Sequence, residues 1–222
     1  MKVSLIRYTP DPEQTVAAAA RLCYSPDQVD DLLVGLTEKR AKSLLAKLVE
    51  QRHFSPFEHA SFTFGVSGVS RSLSHQLVRH RIASYSQQSQ RYVAMSTVPV
   101  VVPPTIAADP EALDVFRQAM QTVEQAYQRL LASVPAEDAR YILPNACQTN
   151  LVVTMNARSL HNFFSLRCCN RAQWEIRELA WQMLDLARAV APALFQGAGP
   201  GCLNGSGCQE GAMSCGEPPV RQ

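Results

Sequence analysis

Along residues 2–8, KVSLIRY, apolar and polar positions alternate with the two-residue period of a half-buried strand. From Pro12 the run PEQTVAAAARLCY changes to helical spacing, with proline at a first turn that tolerates it. The same spacing continues through DQVDDLLVGL and TEKRAKSLLAKLVEQR, predicting further helix. In HFSPFEHASFTFGVSGV a proline-containing turn precedes Phe62, Phe64 and Val66 on alternate positions, a second strand. SRSLSHQLVRHR sets Arg71, His75 and Arg79 four apart, with Gln76 and His80 beside them and Leu73 and Leu77 opposite, so a helix here shows a broad polar face. YVAMSTVPVVVPP reads as a strand ended by prolines and DPEALDVFRQAMQTVEQAYQRLLASV as a long amphipathic helix. NLVVTMNA reads as another strand, and SLHNFFSLRCCNRAQWEIRELAWQMLDLARAVAPALF as one or two helices ending near Pro192. Strands separated by helices predict an α/β or α+β domain over residues 1–197, followed at 198–222 by a Gly/Cys-rich tail without hydrophobic period.

Composition narrows the class. With 222 residues, 46% hydrophobic and 18% charged, the chain can bury a core without a disulfide scaffold. No apolar run nears the roughly 20 residues of a membrane helix, and MKVSLIRYTPDPE lacks the apolar region of a secretory signal, so a cytoplasmic protein with no membrane partner is expected. A net charge of +2 does not suit broad nucleic-acid binding, and any anion must be met by a local cluster. Of seven cysteines, Cys202, Cys208 and Cys215 fall in the tail, spaced unlike the paired ligands of zinc ribbons; a loose tail is expected ahead of a metal site or a disulfide.

The densest chemistry is RHRIASYSQQSQRY, residues 79–92, which gathers three arginines and a histidine among serines and glutamines. Guanidinium forks match phosphate oxygens, while the amides and hydroxyls suit a hydrogen-bonding ring. A solvated loop with surface ion pairs is the plainer alternative. In HFSPFEH, His53, Glu58 and His59 surround a turn without the spacing of a helical zinc motif, which favours a structural or cofactor-lining turn over a metal site. Asn156, Arg158 and Asn162 cluster at a strand-to-helix junction suited to anions, although Asn156 or Ser159 could simply cap the helix. Arg158 and Arg167 lie nine residues apart and would point to opposite sides of one helix, a hint of an oligomer. GAGPGC follows a helix and not a strand, and lacks the third glycine of the GxGxxG spacing, so it is no dinucleotide fingerprint. Cys147 has no evident base and reads as an ordinary thiol.

The run Arg79-His80-Arg81, seven residues, Ser89, then Arg91-Tyr92 resembles the signature of the flavin-dependent thymidylate synthases. HFSPFEH, ARYILP, and NARSLHNFFSLR followed by AQWEIRE are similar to that family's other blocks, in the same order, over residues 1–195. The resemblance implies a twisted, mainly antiparallel sheet flanked by helices, and a homotetramer whose active sites are shared between subunits. It implies reductive methylation of dUMP to dTMP, with FAD as cofactor and NADPH and methylene-tetrahydrofolate as co-substrates. FAD would be lined by Ser55, Arg79, His80, Arg81, Gln87, Asn156, Ala157, Arg158 and Asn162. The nucleotide would lie against Gln76, Leu77, Val78, Arg79, Gln87, Gln88, Ser89, Gln90, Arg91, Arg140 and Arg167, with Arg167 the catalytic cation at the pyrimidine. Ser89 has no base beside it and reads as a hydrogen-bond partner, not a nucleophile. Three positions depart from the family: Ser86-Gln87 where many members have Asn-Glu, and Arg171 where some have histidine. A nucleotide- or RNA-binding protein without catalysis, and a flavin reductase without methyl transfer, are the rival readings.

Overall fold

The computed structural model describes residues 1–219; the final three tail residues lie outside the described residues. The chain divides into two compact units, one of residues 1–2, 66–79 and 86–151, the other of residues 3–65, 80–85 and 152 onward. Its secondary structure begins with strand β1 (Lys2–Tyr8), helix α1 (Pro12–Leu22) and helix α2 (Glu38–Glu50). The long strand β2 (Ser61–Ser70), helix α3 (Arg71–Leu77) and the short strand β3 (Ser84–Gln87) follow. After them come α4 (Pro104–Ala107), α5 (Pro110–Leu131), α6 (Ala136–Ala139), β4 (Gln148–Asn156), α7 (Ala157–Arg167) and α8 (Trp174–Val190). The strands form one antiparallel sheet in the order β1-β2-β4-β3, an α+β arrangement.

The β2/β4 pairing can be read from side chains. The Thr63 and Thr154 hydroxyls meet at 2.9 Å, and the Gly68 N–H donates to Asn150 Oδ1, so the numbering runs in opposite directions on the two strands. On β2, Phe62, Phe64 and Val66 are buried on alternate positions and the next buried residue is Val69, a slip of one residue. Gly68 accounts for it: at φ +68 it takes a left-handed conformation that most side chains avoid, returning Val69 to the inner face.

Helix ends follow local chemistry. Ser70 Oγ accepts from Leu73 N at 3.0 Å to cap α3, and Asn156 Oδ1 accepts from Ser159 N at 2.8 Å to cap α7. Gln173 Oε1 accepts from Glu175 N and Ile176 N, restarting the chain as α8 after the break at 168–173. The SLHNFF segment is therefore two helices, and the second stops two residues before Pro192.

Two expectations fail. DQVDDLLVGL forms only a 3-10 turn at Val29–Asp31, with Leu32 and Leu36 buried at its end. Arg21 fastens this loop, donating to the Leu32 and Val34 carbonyls and pairing with Asp27, so tertiary contacts override the helical spacing. YVAMSTVPVVVPP makes no strand, only an isolated bridge between Val100 and Cys147. Pro99 and the Pro103-Pro104 pair supply no N–H, so pairing is confined to Gln148 N to Pro99 O and Val101 N to Ala146 O, each 2.8 Å. The strand of this region is instead β3, inside the polar run.

In the first unit Val98, Tyr127, Ala139 and Cys147 form a buried cluster. The second is rich in aromatic packing: Phe195 meets Phe62 edge-on at 5.2 Å, and His161 lies nearly parallel to it at 5.6 Å. Edge-on pairs of this kind contribute about 0.5–1.5 kcal/mol beyond area burial. Among the described residues no helix is long and apolar enough to cross a membrane.

Candidate active site

The residues expected to bind ligands fall into two sets, one in each unit. In the second unit, His80 and Arg167 are joined: Arg167 Nε donates to His80 Nε2 at 3.0 Å. The His80 ring stands edge-on to Phe163 at 4.9 Å, and Tyr85 Oη donates to the His80 carbonyl at 2.9 Å. Burial, reinforced by the neighbouring Arg167 charge, lowers the His80 pKa to about 4. Its imidazole is therefore neutral at ordinary pH, with Nε2 as acceptor and the proton on Nδ1. Burial also raises Tyr85 to about 12, keeping it a phenol donor. With Nε committed, Arg167 presents the NH1/NH2 end of its guanidinium to other groups.

The junction of β4 and α7 has more than one task. The Asn156 side chain is spent on capping α7, the plainer of its two expected roles. The Ala157 N–H donates to Ala60 O at 2.8 Å and its methyl is fully buried, so it offers no free side chain. Arg158, one residue on, pairs with Glu58 of the 3-10 turn Ser55–His59. This is what HFSPFEH does: its carboxylate orients an arginine, and no metal-holding cluster occurs among the described residues. Ser55 is exposed at the start of the same turn, and Arg81, next to His80 in sequence, is also exposed. Arg158 and Asn162 line a cavity of about 570 Å³ together with Phe54 and His161. Arg158 and Arg167 thus have different neighbours, as their half-turn phase difference requires.

In the first unit the centre is a residue that sequence reasoning passed over as a ligand. Arg71, at the first position of α3, donates from NH2 to the Gln88 carbonyl at 2.9 Å, yet its buried Nε has no partner. Burial, helped by the like charge of Arg140, lowers its pKa. A guanidinium with an orphaned buried donor is a group that an anion would complete. The sequence signal was its place on the polar face of SRSLSHQLVRHR, four residues before His75.

Around it the 87–91 segment is fixed. Gln87 Nε2 donates to Thr149 Oγ1 at 3.1 Å, Gln88 Oε1 accepts from Asn150 Nδ2 at 2.9 Å, and Gln90 Nε2 donates to Cys147 Sγ. Ser89 Oγ accepts from Arg91 N at 3.2 Å, and Arg91 pairs with Glu137 while its guanidinium lies 5.4 Å from the Tyr92 ring. Arg140 donates to the Glu137 carbonyl. Gln76 lies in the last turn of α3, which stops at Leu77, so Val78 and Arg79 follow the helix and the expected helical face does not extend to Arg79 and His80; the Leu77 side chain is fully buried, leaving only its main chain for a ligand. Cys147 is buried and its thiol is pushed up, chiefly by that burial. Arg171 is exposed in the break between α7 and α8.

Comparison with known proteins shows the family to which the chain belongs. The family model described as "Thymidylate synthase complementing protein" matches residues 4–193. The chain belongs to that family. It is 55% identical over 220 residues to the flavin-dependent thymidylate synthase of Geobacter sulfurreducens, covering 98% of this chain and 94% of that protein. The enzyme of the same name from Clostridium tetani is 50% identical with the same coverage of each. That of Sulfolobus acidocaldarius is 44% identical over 91% of this chain and 78% of its own. Family membership accounts for the order of the four sequence blocks, which local folding alone does not require.

Proposed function

We propose that this protein is a flavin-dependent thymidylate synthase, which methylates dUMP reductively to dTMP with methylene-tetrahydrofolate as carbon donor and FAD reduced by NADPH. The observation that carries the reading is Arg167, whose guanidinium Nε is committed to a neutral histidine, leaving NH1 and NH2 for a ligand. The cavity beside α7 suits a flavin dinucleotide: Arg158 supplies charge for phosphate, Asn162 an amide, and Phe54 and His161 ring surface. Ser55, Arg79, His80, Arg81, Gln87, Asn156 and Ala157 complete the set by family resemblance. When bound, the flavin supplies the hydride that reduces the transferred carbon.

The chain's own residues account for the remainder. Arg71 and Arg140 receive the nucleotide phosphate, which gives the orphaned Arg71 Nε an acceptor. Gln87, Gln88, Ser89, Gln90 and Arg91 supply amide, hydroxyl and guanidinium contacts to sugar and base. Arg167, placed at the pyrimidine N3 and its adjacent carbonyl, favours the ionised ring and pushes electron density toward C5. A cysteine adduct is not needed, consistent with a buried Cys147 whose thiol is pushed up.

A homotetramer with shared active sites is part of the proposal. In α5 only Tyr127 is buried, while Val115 and its neighbours Ile106, Ala112, Phe116 and Ala119 line an open apolar hollow suited to a second copy. Such an enzyme is placed in the cytoplasm. The test is the visible spectrum of the purified protein, followed anaerobically with NADPH, with and without dUMP, and then a dTMP assay. A flavin band that bleaches at a nucleotide-dependent rate, with dTMP formed, is the expected result. A protein that binds no FAD overturns the reading.

A further inference from the structure

The family match ends at residue 193, and the segment beyond it is not a loose appendage. Arg188 of α8 donates to the Ala198 carbonyl at 2.7 Å, and Ala198, Gly199 and Pro200 are buried. Asn204 then staples the loop to itself: its Nδ2 donates to the Gly197 carbonyl at 3.0 Å, and its Oδ1 accepts from Ser206 N at 3.1 Å. Gly201 lies so close to Gly207 that a Cβ there would be 2.3 Å from the Gly207 carbonyl oxygen. No side chain fits without moving the backbone, so the glycine fixes one shape for this loop.

That shape closes one side of the α7 cavity. Arg52, Arg158 and Asn162 face it from the body of the unit, while Asn204, Ser206 and Gln209 face it from the loop. The body contributes two guanidiniums and the loop only neutral amides and a hydroxyl, although Glu50 also reaches the lining. The combination suits a ligand with both phosphate charge and hydroxyl- or amide-bearing parts.

We propose that residues 197–209 form a fixed wall of the flavin site, with Asn204, Ser206 and Gln209 hydrogen-bonding the dinucleotide opposite Arg158 and Asn162. The inference rests on the proposed flavin reading of this cavity and adds a binding segment outside the family's matched region. It explains why a glycine-rich run after the last helix keeps a defined backbone: the wall is built before the ligand arrives, so little ordering is left to oppose binding.

The test is titration of FAD into the full-length, flavin-stripped protein, followed by quenching of flavin fluorescence. Wild type is compared with Arg158→Ala, Gly201→Val and Asn204→Ala, each checked by circular dichroism. Hydrogen exchange of the 199–209 amides in wild type, with and without FAD, gives a readout independent of any variant's folding. The expected result is a Kd raised at least ten-fold by Gly201→Val and several-fold by Asn204→Ala, a weakened Arg158→Ala, and slowed exchange over 199–209 on FAD binding. If Arg158→Ala weakens FAD while both loop variants bind as wild type and the loop amides do not respond, the wall is refuted and the flavin reading stands. If FAD fails to bind wild type, or binds Arg158→Ala unchanged, the flavin reading of the cavity falls and the wall with it.

Discussion

Arg167 Nε and His80 Nε2 lie 3.0 Å apart, and the arginine is the donor. The contact joins the histidine of the Arg-His-Arg run to the last residue of α7, and it sets both the tautomer of one and the aim of the other. Replacing Arg167 with alanine removes the cation proposed to act at the pyrimidine and is expected to lower dTMP formation by about 10²-fold or more. Lysine should rescue poorly, because one ammonium cannot hold His80 and offer a planar pair of donors. Steady-state assays alongside melting curves check this; unchanged turnover overturns the role of Arg167.

The same pair makes stability depend on acid. His80 titrates at about 4 in the folded protein against an ordinary 6.5, so between these values the unfolded chain binds more protons. Stability from this group is complete above about 6.5 and is lost as pH falls toward 4. His161, also lowered by burial, acts in the same direction. Melting temperature measured against pH should fall over that window, and His80→Gln, which keeps an acceptor for Arg167 without the titration, should flatten the fall.

Arg71 gives a prediction of opposite sign for stability and binding. Its unpartnered buried Nε destabilises the ligand-free protein, so Arg71→Met should leave the melting temperature level or raise it. Affinity for dUMP should drop at least ten-fold in calorimetric titration. Inorganic phosphate should raise the melting temperature of wild type and not that of the variant.

Gln87 stands where many family members have glutamate, and its amide donates to the Thr149 hydroxyl, which is 2% exposed. Gln87→Ala strips that hydroxyl of its donor and should cost about 1–3 kcal/mol in urea unfolding. Gln87→Glu can accept from the hydroxyl instead, and should add an acidic limb to the pH profile of dTMP formation that wild type lacks.

Cys147→Ser should retain dTMP formation within a few-fold, since the buried thiol serves packing and accepts from Gln90. In alkylation followed by peptide mass mapping, the exposed Cys23 should react before Cys147. Loss of dTMP formation with an unchanged fold would give Cys147 a chemical role.

The long periodic elements were legible because their apolar positions recur with a period: Phe62, Phe64 and Val66 on β2, Leu73 and Leu77 on α3, and the whole of α5 and α8. Strand β3 was not, because serine and glutamine are poor strand formers and only pairing at the sheet edge makes them one. Residues 92–104 misled in the reverse way, with strand-forming valines but prolines that cannot complete a ladder. Within the candidate site, motif residues were legible as a chemical inventory. Their couplings were not: the hold of His80 on Arg167, the pairing of Glu58 with Arg158 and the bond from Arg71 to the Gln88 carbonyl all join residues apart in sequence. Gly201 shows the same limit, since its necessity is visible only once Gly207 is brought beside it.

Helices α5 and α8 look alike as sequence but are anchored differently. Helix α8 buries seven of its 17 residues, and α5 only Tyr127 of its 22. An isolated subunit therefore carries a gradient of local opening, in which amide protons of α5 exchange with solvent long before those of α8. Under the proposed homotetramer the long helix takes its permanence from the copy that lies along it, so dilution is expected to loosen α5 while the aromatic centre around Phe195 is still closed.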